Sequence, residues 1–314
     1  MGSSPDIVVL GHHGCGTSIV RVHHIPVAGE TITAWDSQHV KDGGKGSHQA
    51  IVISRLGGNS AFIGKIGSDE MSEASREWLV EDKVNIRHLL RSDLKMPKAG
   101  LIMMDDNGVN TIVSSKGVRN TLTFEEVRPC IEDFKSAKMF ITGFEIPEKT
   151  ALASAKLAKE LGMFVILNPA PAPEEPMGVL DYVDVIIPNE TEAKSIVGID
   201  LHAEIDPIEV AKKIREMYKV GVVIITMGGS GVFGYDGRDS WSLPPVPVDV
   251  VNTTGAGDAF IGSFSWALFN GKSIPEAMQW GNYYAALSVT RAGTITSFPY
   301  LDEVEAFIKE RKQG

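Results

Sequence analysis

Asn252-Thr253-Thr254-Gly255-Ala256-Gly257-Asp258-Ala259-Phe260 sets two glycines and a carboxylate between two apolar segments. The segment before it, Leu243 to Val251, is apolar and Pro-rich and reads as extended. The segment after it, Phe260 to Phe269, is an apolar run with helical character. The glycines therefore fall at an expected strand-to-helix turn. Glycine lets backbone approach a ligand closely, and a helix N-terminus offers unpaired N–H groups and a positive dipole end. Together they form an anion site suited to phosphate. Asp258 stands at its mouth, where a carboxylate repels phosphate unless it has a task such as accepting a proton from an attacking hydroxyl. The alternative is a plain Gly-rich turn with Asp258 as helix N-cap.

Outward from this stretch, strands alternate with helices. Short apolar runs at Ile7 to Leu10, Met139 to Thr142, Phe164 to Leu167, Val185 to Ile187 and Val222 to Thr226 predict buried parallel strands. Helical periodicity runs through Ser47 to Leu56, Lys149 to Leu161 and Pro207 to Tyr218. This alternation predicts an α/β fold with right-handed crossovers and a ligand beyond the carboxyl ends of the strands. Two stretches break the pattern. Ile19 to Val40 has β-branched and turn residues without helical period, and Ala99 to Ser114 reads as a hairpin turning at Asp106-Asn107-Gly108. They predict one small antiparallel sheet that covers the cleft, pairs with a second subunit, or does both. No linker or repeat divides the chain, so a single unit over 1–314 is expected, with the small sheet drawn from about 14–41 and 98–114.

Composition narrows the function. The chain has 314 residues, 43% hydrophobic and 22% charged, enough for a full core. A net charge of −10 argues against nucleic acid or an anionic membrane as partner. No apolar run approaches membrane-spanning length. Two cysteines, Cys15 and Cys130, give no disulfide framework, and no signal-peptide pattern opens the chain, so a cytoplasmic location is expected.

Three further turns are candidates. Asp42-Gly43-Gly44-Lys45-Gly46-Ser47-His48-Gln49 enters a helix with glycines and a cation, but it is not a Walker A loop, since His39 stands where that motif needs glycine. Asn189-Glu190-Thr191-Glu192 follows an expected strand. Glu190 could hold Mg²⁺ there, or the cluster could simply cap a helix. Thr226-Met227-Gly228-Gly229-Ser230-Gly231 could lie under a nucleotide or merely lead into the strand Val232 to Tyr235. His12, His13, His23 and His24 with Cys15 do not make a convincing metal site, because adjacent residues of an extended chain face opposite ways.

In order along the chain, Pro26 to Glu30, Gly43 to Gln49, Leu167-Asn168-Pro169-Ala170-Pro171, Pro188 to Glu192, Gly255 to Asp258 and Val289-Thr290-Arg291 resemble the motif set of the ribokinase-like sugar kinases, the phosphofructokinase-B type. The likeness runs from Ile7 to about Glu305 and is greatest to the ribokinase branch. It implies a Rossmann-like three-layer αβα sandwich with a mainly parallel central sheet and a small β lid. The molecule would be a homodimer joined through the lids. The implied activity is transfer of the ATP γ-phosphoryl group to a hydroxyl of a small sugar or polyol. Asp258 would be the base, and the amides of Gly255, Ala256 and Gly257 the anion hole. Gly44, Lys45, Glu145 and, where the family has Asn, His48 would face the sugar. Asn189 would contact phosphates and Glu190 would organise Mg²⁺. Thr226, Gly228, Gly231, Gly257 and Asn282 would line the ATP pocket. A K⁺ site would fall at Asn252, Thr254, Ser288, Arg291, Gly293 and Ser297.

The sequence departs from ribokinases at three points. Their Asn-x-Asp after the first strand is Gly14-Cys15-Gly16 here, His48 replaces an Asn, and Asn252 replaces an Asp of the K⁺ site. Losing a bidentate acceptor penalises a ribose-like diol. A nucleoside kinase of the same fold and a catalytically inactive sugar-sensing protein are therefore the alternatives.

Overall fold

The computed structural model describes residues 4–95, 99–115 and 117–313. Residues 1–3, 96–98, 116 and 314 of the expected single unit, with residue 98 belonging to the second small-sheet segment, lie outside the described residues. The chain begins with β1 (Ile7–Leu10), β2 (Thr17–Arg21), β3 (Asp36–Val40), α1 (Lys45–Arg55), β4 (Ser60–Ile66), α2 (Glu70–Glu81) and β5 (Leu89–Arg91). It continues through β6 (Gly100–Met104), β7 (Asn110–Ser114), α3 (Phe124–Asp133), β8 (Met139–Gly143), α4 (Glu148–Glu160), β9 (Phe164–Asn168) and β10 (Val185–Ile186). It closes with α5 (Glu190–Val197), α6 (Pro207–Tyr218), β11 (Val222–Thr226), β12 (Val232–Tyr235), β13 (Ser240–Leu243), α7 (Ala256–Phe269), α8 (Ile274–Ser288) and α9 (Leu301–Gln313).

The central sheet has nine strands in the order β13-β12-β11-β10-β9-β8-β1-β4-β5. Its ladders are parallel except at one edge, where β12 runs antiparallel to both β11 and β13. β1 explains why the strands read as continuous apolar runs. Its residues Ile7, Val8, Val9 and Leu10 are fully buried. Val8 and Leu10 enter the core under α3 to α6, while Ile7 and Val9 enter the core under α1, α7 and α8. A strand covered on both faces has no polar side to show. This is the three-layer αβα sandwich that the sequence predicts.

β1 is also where the strand order reverses, because it pairs with β4 on one side and β8 on the other. Ligands of open α/β sheets bind outside such a switch point. The N-terminus of α1 comes very close here: a Cβ on Gly46 would lie 2.8 Å from the Gly11 Cα. Only two glycines permit that approach.

The second sheet has the order β3-β2-β6-β7 and forms the lid. It is mixed, and this corrects the expected antiparallel sheet. β2–β3 and β6–β7 are antiparallel hairpin pairs, but β2 and β6 run parallel. The chain between them passes through β3, α1, β4, α2 and β5, so no tight turn dictates their direction. A second correction concerns Leu243 to Val251. β13 ends at Leu243 and the rest forms no strand, because Pro244, Pro245 and Pro247 cannot donate to a ladder. The glycine turn thus follows a loop.

Candidate active site

The expected anion turn is present. Gly255 is the residue before α7 and holds φ 84°, ψ −3°, a left-handed conformation natural only to glycine. No side chain caps the helix; its first amides have no intrahelical partner, and that of Ala256 donates to the Thr253 carbonyl at 3.2 Å. Asp258 is not the N-cap. It lies inside the first turn and is 4% exposed.

A cavity of about 190 Å³ opens beside Asp258, lined by His12, Gly14, Gly16, Thr17, Asp42, Gly44, Lys45, His48, Gly100, Glu145, Thr254 and Gly255. The fold therefore gathers the predicted sugar-side residues from the entry and first turns of α1, the loop after β8 and the start of α7. Lid residues Thr17 and Gly100 close one wall. α1 has no capping side chain of its own, and its N-cap is Gly44. Glu145 serves instead, its Oε2 accepting the Lys45 N–H at 2.7 Å across a sequence separation of 100.

The charges in this cavity are interlocked. Asp258 Oδ2 is 2.9 Å from His48 Nδ1, and Oδ1 accepts from Gln49 Nε2 at 3.3 Å. Burial pushes the Asp258 pKa up, but the Lys45 charge and the His48 hydrogen bond outweigh it and hold the carboxyl below its ordinary range. The Asp258 charge in turn raises Lys45. Burial and the Asp258 charge raise Glu145 against the pull of Lys45. Burial opposes charge on His48, yet its hydrogen bonds to Asp258 and Asp42 lift it to about 9. Asp42 falls to about 2 despite burial, chiefly through His48. Asp258 is thus a carboxylate at neutral pH, as a general base must be.

The nucleotide-side candidates are arranged differently, and none of Asn189, Thr226, Gly228, Gly231 and Asn282 lines the cavity. Asn189 bridges to Thr226 along the strand ends. Its side chain and that of Glu192 form a reciprocal capping box at the start of α5, so the capping alternative describes this cluster. Gly228 opens a short 3-10 turn, Gly228–Ser230. Gly231 packs on Leu243 and Pro244, and Asn282 Nδ2 donates to the Pro244 carbonyl at 2.8 Å. The candidates from Asn189 to Gly231 therefore follow the carboxyl ends of β10 and β11, before β12 begins. Glu190 is partly exposed and paired with Lys194 at 2.7 Å. A single reachable carboxylate fits Mg²⁺, which keeps much of its water and takes phosphate oxygens as ligands.

The K⁺-site candidates gather less convincingly. Asn252 Oδ1 accepts from Thr254 N at 2.9 Å, and Asn252 Nδ2 donates to the Gly293 carbonyl at 3.3 Å. Ser288 and Ser297 donate to nearby carbonyls, and Arg291 pairs with Glu303. An amide N–H therefore occupies a carbonyl that a cation would need. With an amide rather than a carboxylate at position 252, the set is a weaker monovalent-cation site than one that carries Asp there.

Among the histidines, His12 lines the cavity, whereas His13 packs edge-on against Phe62 and Trp78. Sequence reasoning assigned no role to Asp42, Gln49, Thr17 or His12. Asp42 offered a signal, a carboxylate directly before a glycine-rich helix entry. The other three are recognisable only once the chain is folded.

The pattern of the pfkB family carbohydrate kinases matches residues 6–301. The ribokinase of Haemophilus influenzae is 31% identical over 291 residues, covering 93% of this chain and 94% of that protein. The bifunctional ribokinase/ribose-5-phosphate isomerase A of Fructilactobacillus sanfranciscensis is 34% identical over 294 residues, and the match spans 93% of this chain but only 54% of that longer protein. The structure of Arabidopsis thaliana ribokinase complexed with ribose and ATP superposes with a TM-score of 0.87 at 27% identity, covering 98% of this chain and 99% of that one. With the αβα core, the lid and the site in place, the chain belongs to the pfkB family of carbohydrate kinases, as a ribokinase-like sugar kinase.

Proposed function

We propose that this chain transfers the γ-phosphoryl group of ATP to a hydroxyl of a small free sugar, with Asp258 as general base. The observation that carries the reading is the placement of a buried, ionised Asp258 in the same helix turn as uncapped amides, on a cavity shared with Lys45 and Glu145. The sugar hydroxyl gives its proton to Asp258 as its oxygen attacks the γ-phosphorus, and the bond to the β-phosphate oxygen breaks to release ADP. The amides of Gly255, Ala256 and Gly257, with Lys45, stabilise charge on the moving group, and this chemistry asks for positioning more than for covalent help. Asn189, Thr226, Gly228, Gly231 and Asn282 would hold the nucleotide. When bound, Mg²⁺ near Glu190 would neutralise phosphate charge.

The size of the cavity favours a single sugar ring. At about 190 Å³ it is smaller than the ~300–1,000 Å³ pockets that take larger ligands, which speaks against a nucleoside. Ribose, named for the Arabidopsis relative, is the first acceptor to test. Its grip must differ here, because a side chain at Gly16 would collide with His39, and Asp42 is the carboxylate nearest that wall.

The lid supports a homodimer. Trp35, Val109, Ile112 and Val113 expose apolar surface, and every residue of the edge strand β7 is exposed. Among the described residues no helix is long and apolar enough to cross a membrane, and Cys15 and Cys130 are both free.

ADP release with D-ribose, 2-deoxy-D-ribose, D-fructose and adenosine, for wild type and Asp258→Asn, tests the reading. Turnover of a free sugar that Asp258→Asn abolishes supports it. Preference for adenosine would move the acceptor class, and tight sugar binding without ADP release would point to a sensor.

A further inference from the structure

His48 lies in the first turns of α1, 3% exposed, with a carboxylate at each ring nitrogen. Nδ1 is 2.9 Å from Asp258 Oδ2 and Nε2 is 3.2 Å from Asp42 Oδ1. Asp258 and His48 are sealed from solvent, whereas the Asp42 side chain is 33% exposed. An Asp42–His48–Asp258 chain thus runs from the part-exposed edge of the cavity to the buried, expected base. We propose that His48, backed by Asp42, is a positioning residue that keeps Asp258 ionised and aimed at the acceptor hydroxyl, and so sets the pH range of phosphoryl transfer. The proposal rests on the reading of Asp258 as base.

The geometry gives each contact a task. A charge-assisted bond from His48 fixes Asp258 Oδ2. Oδ1 is held only by the longer 3.3 Å bond from Gln49, which leaves it the oxygen free to take a proton. The Phe298 ring, T-shaped to the imidazole with centroids 5.5 Å apart, closes its flank.

Nε2 meets two groups with opposite demands. The Gly43 N–H reaches it at 3.0 Å and needs a lone pair, while Asp42 Oδ1 at 3.2 Å needs an N–H. As an imidazolium the ring donates to Asp42. As a neutral imidazole it accepts from Gly43. The ring can therefore change charge without leaving Nε2 buried and unsatisfied, a cost that ordinarily blocks such a change.

The charged groups around His48 favour the cation. Asp258 from α7, Asp42 from the turn before α1 and Glu145 from the loop after β8 are carboxyl groups near it, and Lys45 on α1 opposes them. His13, in the loop after β1, is pushed down to about 4, first by burial, and stays neutral. His48, lifted to about 9, remains charged through neutral pH and loses its proton in the alkaline range. Its charge is among the causes that depress Asp258. Removing that charge lets the Asp258 pKa rise, so the base is protonated, and activity lost, at a higher pH than in wild type.

Ring ¹⁵N resonances of His48 test the chain without any substrate. In the wild-type protein both ring nitrogens carry protons at neutral pH and the ring titrates in the alkaline range, and Asp258→Asn and Asp42→Asn each lower the midpoint. A ring that is neutral at neutral pH, or a midpoint unmoved by Asp258→Asn, overturns the proposal. The pH profile of ADP release, with the free sugar turned over fastest in the acceptor panel, gives the second arm. His48→Asn keeps an amide donor but no charge, and its loss of kcat relative to wild type is expected to be about tenfold greater near pH 5 than near pH 7.5. An inactive Asp258→Asn together with an equal loss at both pH values for His48→Asn overturns this proposal alone. Near-normal turnover of Asp258→Asn overturns the base assignment, and this proposal with it.

Discussion

The two halves of the site are built on opposite plans. On the acceptor side, Lys45, His48, Glu145 and Asp258 line one cavity, and each shifts the ionisation of another. On the nucleotide side, Asn189 is committed to a helix cap, Glu190 to an ion pair with the buried Lys194, and Asn282 to a loop carbonyl. The contrast follows from the ligands. A small neutral sugar offers little binding surface, so the groups that act on it must be fixed in advance. A polyanionic nucleotide brings its own charge and metal and needs mainly backbone amides and open glycine turns. Substitutions on the acceptor side should therefore change chemistry, and those on the nucleotide side should change binding or local stability.

Lys45→Met breaks the comparison at its strongest point. It removes the foremost charge that holds Asp258 ionised, and kcat/KM for the sugar should fall on the order of 10²-fold or more. An effect confined to the KM for ATP would place Lys45 in the nucleotide half. Gly255→Ala comes next. Its positive φ and the Thr294 methyl 2.8 Å from the added Cβ should cost about 1–3 kcal/mol, read as a lower denaturant midpoint with weakened activity. Unchanged stability would mean that the turn accepts an ordinary residue.

Asn189→Ala sharpens the other half. Loss of the capping box should cost about 1 kcal/mol and raise the KM for ATP while leaving that for the sugar nearly unchanged. A rise in sugar KM instead would dissolve the division. The smallest effect concerns monovalent cations. Because Asn252 Nδ2 already engages the Gly293 carbonyl, exchanging K⁺ for Na⁺ should change the rate by less than about twofold, an energy difference under about 0.5 kcal/mol. Strong K⁺ activation would show that the amide yields to the ion.

The sequence exposed those parts of the fold whose physics is local. β1, β9 and α6 are apolar runs or periodic helices with clean ends, and the glycine turn announces itself through φ. Nothing in the sequence reading anticipates β4. Its run is broken by Lys65, which keeps its aliphatic stem buried by pairing with Glu126 at 2.6 Å. The loop Pro244–Val251 misleads for the reverse reason: its apolar residues suit a strand, but its prolines cannot join one. The site divides similarly. Asp258 and Lys45 are legible because each sits on a recognisable glycine turn. His48 reads as a departure from the family pattern, and only folding brings it to Asp258 across a sequence separation of 210. The reach of Glu145 to the start of α1 is equally non-local.

The central claim is that Asp258 performs the proton transfer and contributes little to holding the nucleotide. Asp258→Asn, studied by calorimetric ATP binding and by ADP release from the preferred sugar, tests it most directly. The expected result is ATP affinity within about threefold of wild type and turnover reduced by about 10²–10⁴-fold or more. Turnover close to wild type with ATP bound normally would contradict it.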